Sequence, residues 1–183
     1  MAKKVIVLLA NGFEDVEAVT PIDYLRRAGA EVTVAGVGGT TVNSSRGLVV
    51  QADVVVAALG AEPWDAVVVP GGMPGAANIA ADPACVDLIR RQASSDRLLA
   101  AICAAPAVVL APLGLLSGRR FTCYPGHEKD VSGARWSDER VVVDGNIVTS
   151  RGAGTAGEWA VEIIAKLFGA EPSQKIAKAV LLK

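Results

Sequence analysis

The sequence predicts an α/β domain, a mainly parallel β-sheet covered on both faces by helices. Three observations carry that expectation. Short valine-rich runs alternate along the chain with longer stretches of helical spacing. One of those runs, residues 65–69, is continuously apolar after its opening Asp65, the pattern of a strand buried on both faces of a parallel sheet. The 183 residues suffice to bury a substantial core, and no repeat, long linker or low-complexity tract divides them. Residues 1–183 are therefore read as a single domain.

Lys4–Leu9 is the first strand. The N-terminal lysines ahead of an apolar run suggest a signal peptide, but Asn11, Glu14 and Asp15 interrupt that run too early. Residues 14–28 have helical spacing and stop at Gly29, and 31–37 form the second strand. After the 65–69 strand comes a helix over 82–93, opened by Asp82 as cap and Pro83 in the first turn. Residues 97–102 are a strand and 104–116 its helix. The uncharged run 98–116 is long enough to span a membrane, but Pro106, Pro112, Gly114 and its many alanines favour a buried strand and helix. Segments 140–143 and 146–149 flank Asp144 and Gly145, a strong hairpin signal. Helices over 155–168 and 173–182 complete the alternation.

Composition narrows the function classes. Eighteen basic side chains against nineteen acidic ones leave almost no net charge, and no basic cluster exceeds the Arg90-Arg91 and Arg119-Arg120 pairs. Nothing there points to a nucleic-acid partner. Three widely spaced cysteines argue against a disulfide framework and for a reducing, cytoplasmic compartment.

In open α/β sheets, ligands bind beyond the carboxyl ends of the strands. Three unusual segments fall there: residues 10–17, residues 70–75 and Cys103. Cys103 sits where a strand passes into a helix within one residue, a turn that faces a thiol outward beside unpaired helix N–H groups. Those groups and the helix dipole favour a thiolate and lower its pKa. The nucleophile elbow of α/β-hydrolases has this geometry with serine and demands small neighbours two positions away, here Ala101 and Ala105. The competing reading is a small hydrophobe buried at a strand end.

Gly71 and Gly72 lack the lysine and hydroxyl of a phosphate loop, so the choice lies between an oxyanion hole and a plain tight turn. Glu14 and Asp15 belong to the first turn of a helix, where a solvated acidic face is expected. Glu17 is one turn deeper, four residues before Pro21. Aimed at the strand ends, it becomes a partly buried carboxyl with a raised pKa, able to hold a proton beside a thiolate.

Glu17 after Ala10 and Gly12, the Pro70-Gly71-Gly72 turn, residues 101–106 around Cys103, and residues 149–155 occur together and in order. That combination closely resembles the ThiJ/PfpI superfamily, in particular the branch of the Parkinsonism-associated protein deglycase and its bacterial relatives. The resemblance spans essentially the whole chain, including the end of the 14–28 helix and the closing residues 175–183. It implies a flavodoxin-like three-layer sandwich that usually forms a homodimer. It also implies that Cys103 is the oxidation-prone reactive cysteine and Glu17 the protonated carboxyl bonded to its sulfur. Gly72 and Ala104 match positions whose N–H groups line an anion pocket, with Gly71 beside them. Arg46 and Arg151 match arginines near that pocket.

The sequence departs from the pattern at Tyr124, where many members carry a histidine. His127, the only histidine, does not match and reads as a solvated loop side chain. A Cys-His peptidase or amidase thereby loses its base, while Tyr124 remains able to donate a hydrogen bond. The family cysteine near Ser44 is also missing, and Cys85 and Cys123 read as structural, on a helix and a strand. Val16 and Val19 read as core, with a dimer interface as the alternative.

The resemblance thus implies a cofactor-independent, metal-free glyoxalase or deglycase acting on methylglyoxal, another small reactive aldehyde or a glycated substrate. The rival expectation is a redox-responsive stress protein or chaperone whose Cys103 oxidises to a sulfinate.

Overall fold

The computed structural model describes residues 2–182. Strand β1 (Lys4–Leu9) leads through Gly12 into helix α1 (Asp15–Arg27), and β2 (Glu31–Gly36) returns parallel to β1. A small hairpin, β3 (Thr41–Asn43) and β4 (Val49–Gln51), precedes the two-residue edge strand β5 (Val54–Val55). The chain then crosses to β6 (Ala66–Val69), helices α2 (Gly75–Ala81) and α3 (Pro83–Ser94), and β7 (Leu98–Ile102). After Cys103 come short β8 (Arg120–Phe121) and β9 (Arg135–Trp136), paired with each other. The hairpin β10 (Val141–Asp144) and β11 (Ile147–Ser150) and helices α4 (Ala156–Phe168) and α5 (Ala170–Ala179) close the fold.

The main sheet has seven strands in the order β10-β11-β7-β6-β1-β2-β5, all parallel except the edge strand β10. Every residue of β6, β7 and β11 is buried. Strands β6 and β7 are unbroken apolar runs. In β11 the buried Thr149 and Ser150 hydroxyls are hydrogen-bonded, to the Thr122 N–H and the Arg140 carbonyl. Alternate side chains feed two cores. Ile6, Leu8, Val67 and Leu99 pack with Ile79, Leu88 and Ile89 beneath α2 and α3. Val5, Val7, Val68 and Ala100 pack with Leu25, Trp159, Ile163 and Ile164 beneath α1 and α4. The flavodoxin-like three-layer sandwich expected from the sequence is the observed architecture.

The strand order reverses between β1 and β6. From β1 the chain runs outward through β2 to β5; from β6 it runs the other way through β7 to β11. The loops leaving β1 and β6 consequently diverge to opposite faces and open a crevice at their carboxyl ends. Cys103 follows β7, the next strand along.

Several elements differ from the sequence expectation. The helix over 104–116 is a wide π turn, Pro106–Leu110, followed by the tight turn Ala111–Leu113, which ends at Gly114 in the left-handed region. Pro112 has no N–H to extend an α-helical ladder, so the backbone repartners, with Ala111 N–H reaching the Pro106 carbonyl. The apolar run 98–116 is thus a strand and two short turns, and no described helix is long and apolar enough to cross a membrane. The β10–β11 turn is centred on Gly145 and Asn146, one residue late, because Asp144 pairs with Ile147 and Gly145 takes the positive φ. Helix α5 starts at Ala170, before Pro172, since first-turn positions need no N–H. It ends at Ala179, and Lys183 lies outside the described residues. Cys123 is buried just after β8 rather than on a strand.

Val16 and Val19 correct the core reading, being 45% exposed each. They share one face of α1 at a spacing of three residues, pointing away from the sheet.

Asp82 caps α3 as expected, its Oδ1 accepting the Cys85 N–H at 2.9 Å. Asp82→Ala should cost about 1 kcal/mol and lower the melting temperature by about 2–4 °C in a thermal denaturation scan. Asp82→Asn, which still caps, should restore most of that loss.

Candidate functional site

Cys103 stands at φ +63°, a left-handed conformation that costs a non-glycine residue about 1–2 kcal/mol. Its surroundings impose it. The Cys103 N–H donates to the Ser150 carbonyl at 2.9 Å, continuing the β7–β11 pairing, and its own carbonyl accepts the Tyr124 N–H at 2.9 Å. Ala101 and Ala105, fully buried on either side, leave room for the reversal. Cys103 is partly buried, unlike the two other cysteines.

Glu17 comes to the same point from α1 and is 1% exposed. Glu14 caps that helix, its Oε2 accepting the Glu17 N–H at 2.8 Å. The Glu14 N–H donates to the Gly71 carbonyl at 3.1 Å, and the Gly71 N–H donates to Glu17 Oε2 at 3.0 Å. The carboxyl is pinned between two loops and pressed against the sulfur. Burial pushes its pKa up to about 7, opposed by the hydrogen bond with Cys103, assisted by the charge of Glu14 and opposed by the Gly71 N–H.

The thiol does not follow the sequence expectation of a lowered pKa. Burial first, and the Glu17 charge second, push it up to about 12, against the pull of the Gly72 and Ala104 N–H groups. The contribution from Glu17 vanishes when that carboxyl takes a proton. The two groups therefore titrate as a unit that gives up one proton near neutrality and holds the second tightly. The N–H groups of Gly72 and Ala104 face the sulfur and oppose the rise in its pKa without cancelling it.

The glycine turn is divided between two tasks, which corrects the grouping of Gly71 with Gly72 and Ala104. The Gly71 N–H is spent on Glu17, since a carboxyl this deeply buried needs a donor. A Cβ on Gly71 would lie 2.6 Å from Cys103 Cβ and 2.7 Å from Glu17 Oε2. Gly72, at φ +86°, turns its N–H to the sulfur, and a Cβ there would strike Glu14 N at 2.5 Å.

Other residues singled out in the sequence lie around this centre. Tyr124 is anchored through its backbone to Cys103, and the residue is 52% exposed. The Arg151 side chain donates to the Asp138 carbonyl at 2.7 Å and lines a depression beside Tyr124. Arg46 is exposed on the β3–β4 hairpin, and its guanidinium makes no ion pair among the described residues. The His127 ring packs edge-on to Tyr124, centroids 6.3 Å apart, with no hydrogen bond to Cys103 among the described residues. Cys85 and Cys123 are fully buried and their thiols are pushed up by that burial.

Glu14 and Asp15 are not a solvated face. Glu14 caps and biases Glu17, and Asp15 Oδ1 accepts the Ser44 hydroxyl at 2.6 Å, tying the β3–β4 hairpin to α1. The spacing of Glu14 and Glu17, three residues apart at a helix start, is a capping signal that was available. Gly152 also belongs here, 3.8 Å from Glu17 Oε1 as measured from its Cβ position. No local pattern marks that approach, because it is made across the sheet edge.

Residues 3–166 match the DJ-1/PfpI family. The chain is 43% identical over 185 residues to protein dj-1beta of Drosophila melanogaster, covering 100% of this chain and 98% of that one. It is 35% identical over 163 residues to the deglycase PH1704 of Pyrococcus horikoshii, covering 88% and 97%. Among solved structures, oxidized Toxoplasma gondii DJ-1 superposes with a TM-score of 0.96 at 41% identity, covering 98% of each chain.

Two outcomes follow from this geometry. The folded-state pKa of Glu17 is raised from 4.5 to about 7, so its burial is free of penalty below pH 4.5 and costs stability as pH rises through 7. Glu17→Gln should gain about 3 kcal/mol over the native chain at pH 8 and almost nothing near pH 4, measured by denaturant unfolding across that range. Gly71→Ala should cost about 1–3 kcal/mol through overpacking and slow alkylation of Cys103 by iodoacetamide, followed by intact mass.

Proposed function

The chain belongs to the DJ-1/PfpI family, and from that premise we propose a cofactor-independent enzyme of glyoxalase or deglycase type. Its substrates are methylglyoxal and related small carbonyls, processed by Cys103 and Glu17. One observation carries this reading: a buried carboxyl, pushed up to about 7 by that burial, hydrogen-bonds a partly buried cysteine sulfur that two backbone N–H groups also face. The deglycase name of the Pyrococcus horikoshii relative supports it.

Each step uses a group already in position. The Cys103 sulfur adds to the aldehyde carbon, and the carbonyl oxygen takes the Glu17 proton, giving a hemithioacetal. The Gly72 and Ala104 N–H groups hold the negative charge first on sulfur and then on the developing oxyanion. The Glu17 carboxylate next removes the remaining hydrogen of that carbon as a proton, leaving an enediolate, and returns it to the neighbouring carbon while the hydroxyl proton passes from the first oxygen to the second. The product is a thioester of Cys103, which water cleaves to lactate and free thiol. The sum is methylglyoxal plus water to lactic acid.

Oxidation of Cys103 to a sulfinate is a second reading, favoured by the same cradle. Two N–H donors and a carboxyl proton suit an anionic sulfur oxide as well as a thiolate. The oxidized Toxoplasma gondii relative is in keeping with it. Three unpaired cysteines suit a reducing, cytoplasmic setting. A homodimer is proposed through the exposed apolar face of α1, Val16 and Val19, beside Leu48 and Val49 of the hairpin that Ser44 ties to Asp15.

Purified protein should consume methylglyoxal and release lactate, and Cys103→Ser or Glu17→Gln should each lower kcat by at least about a hundredfold. Activity should rise with pH as the pair loses its first proton near 7. Full activity in Cys103→Ser, or no turnover by the native chain, rules the enzyme reading out. Peroxide titration with intact mass reads the alternative as selective addition of two oxygens at Cys103. Light scattering of the native chain and of Val19→Lys tests the dimer, which the substitution should dissociate.

A further inference from the structure

The wall of the site beyond Glu17 is made of groups that hold neither the sulfur nor the proton. Gly152 lies in extended backbone after β11, and a Cβ placed on it would stand 3.4 Å from Tyr124 Cδ2 and 3.8 Å from Glu17 Oε1. The tyrosine ring and the carboxyl thus flank the same glycine. The Tyr124 backbone is fixed on the Cys103 carbonyl, so the root of the ring is held in register with the sulfur.

Outward from the ring runs an open depression of about 400 Å³, lined by Tyr124, Pro125, Gly152, Ala153 and the side chains of Arg140 and Arg151. That volume lies within the range of small-molecule sites. Its two cations are already engaged. Arg140 pairs with the Glu158 carboxylate at 2.7 Å and with the Gly154 carbonyl, and Arg151 donates to the Asp138 carbonyl. The depression therefore offers flat and small surfaces more than free charge, and guanidinium groups stack on aromatic faces.

We propose that this depression is the subsite for the non-reacting end of the substrate, and that it selects α-oxoaldehydes bearing an aromatic substituent, with Tyr124 as the specificity-determining residue. The inference rests on the Cys103–Glu17 chemistry proposed above and adds the substrate class. With phenylglyoxal the sequence of steps is unchanged: water is added overall and the product is mandelate.

The experiment compares kcat/KM for phenylglyoxal and methylglyoxal in the native chain, Tyr124→Phe and Tyr124→Ala. The native chain should favour phenylglyoxal, Tyr124→Phe should keep that preference, and Tyr124→Ala should lower it about fivefold to tenfold, through KM. An unchanged ratio in Tyr124→Ala overturns the proposal. A second probe needs only the thiol: the rate of Cys103 alkylation by N-benzyl iodoacetamide relative to iodoacetamide, read by intact mass. Loss of benzyl preference in Tyr124→Ala without carbonyl turnover by the native chain upholds the subsite and rejects the proposed reaction. Turnover of both carbonyls, with neither ratio responding to Tyr124, upholds the reaction and rejects the subsite.

Discussion

A carboxyl and a thiol, both withdrawn from water and touching, can carry one negative charge between them far more readily than two. That constraint on Glu17 and Cys103 organises everything around them. The first proton lost leaves one anion on the pair, and the Gly72 and Ala104 N–H groups face the sulfur beside it. The second proton is held by burial and by the charge already present. One proton is thus shared by groups whose ordinary titrations lie far apart.

The fold supplies this contact through the reversal of strand order between β1 and β6. The two loops leave in opposite directions, yet their first residues must touch for Glu17 to meet Gly71. They do so backbone to backbone. A Cβ on Gly75 would sit 2.6 Å from Phe13 N, as one on Gly72 would strike Glu14. Small residues here are a packing requirement, and the strained turn at Cys103 is held by the same crowding, with β11 on one side and Tyr124 on the other.

The chemistry available to this pair is broader than one reaction. Addition to a carbonyl and oxidation of sulfur both begin from an anionic sulfur with a proton close by, and both end with an oxygen that needs hydrogen bonds. The pair itself does not discriminate among substrates, which is why we propose that role for the wall formed by Gly152 and Tyr124. Arg46 stands apart from that wall on the hairpin tied to α1, beside the exposed valines.

Periodicity and composition determined the layers. Continuous apolar runs are legible as buried parallel strands because both faces of each must avoid water, and Asp82 with Pro83 is legible as a helix start because capping is local. Cys103 was legible for the same reason, since a strand-to-helix turn between alanines is a local event. What only the tertiary structure decided are quantities set by neighbours distant in the chain. The division of labour between Gly71 and Gly72, the role of Glu14, the place of Gly152 and the exposure of Val16 and Val19 all depend on which loops meet at the crevice. The rise in the thiol pKa belongs with them. Helix geometry alone argues for a lower value, but burial and a carboxyl more than eighty residues away in sequence outweigh two N–H groups.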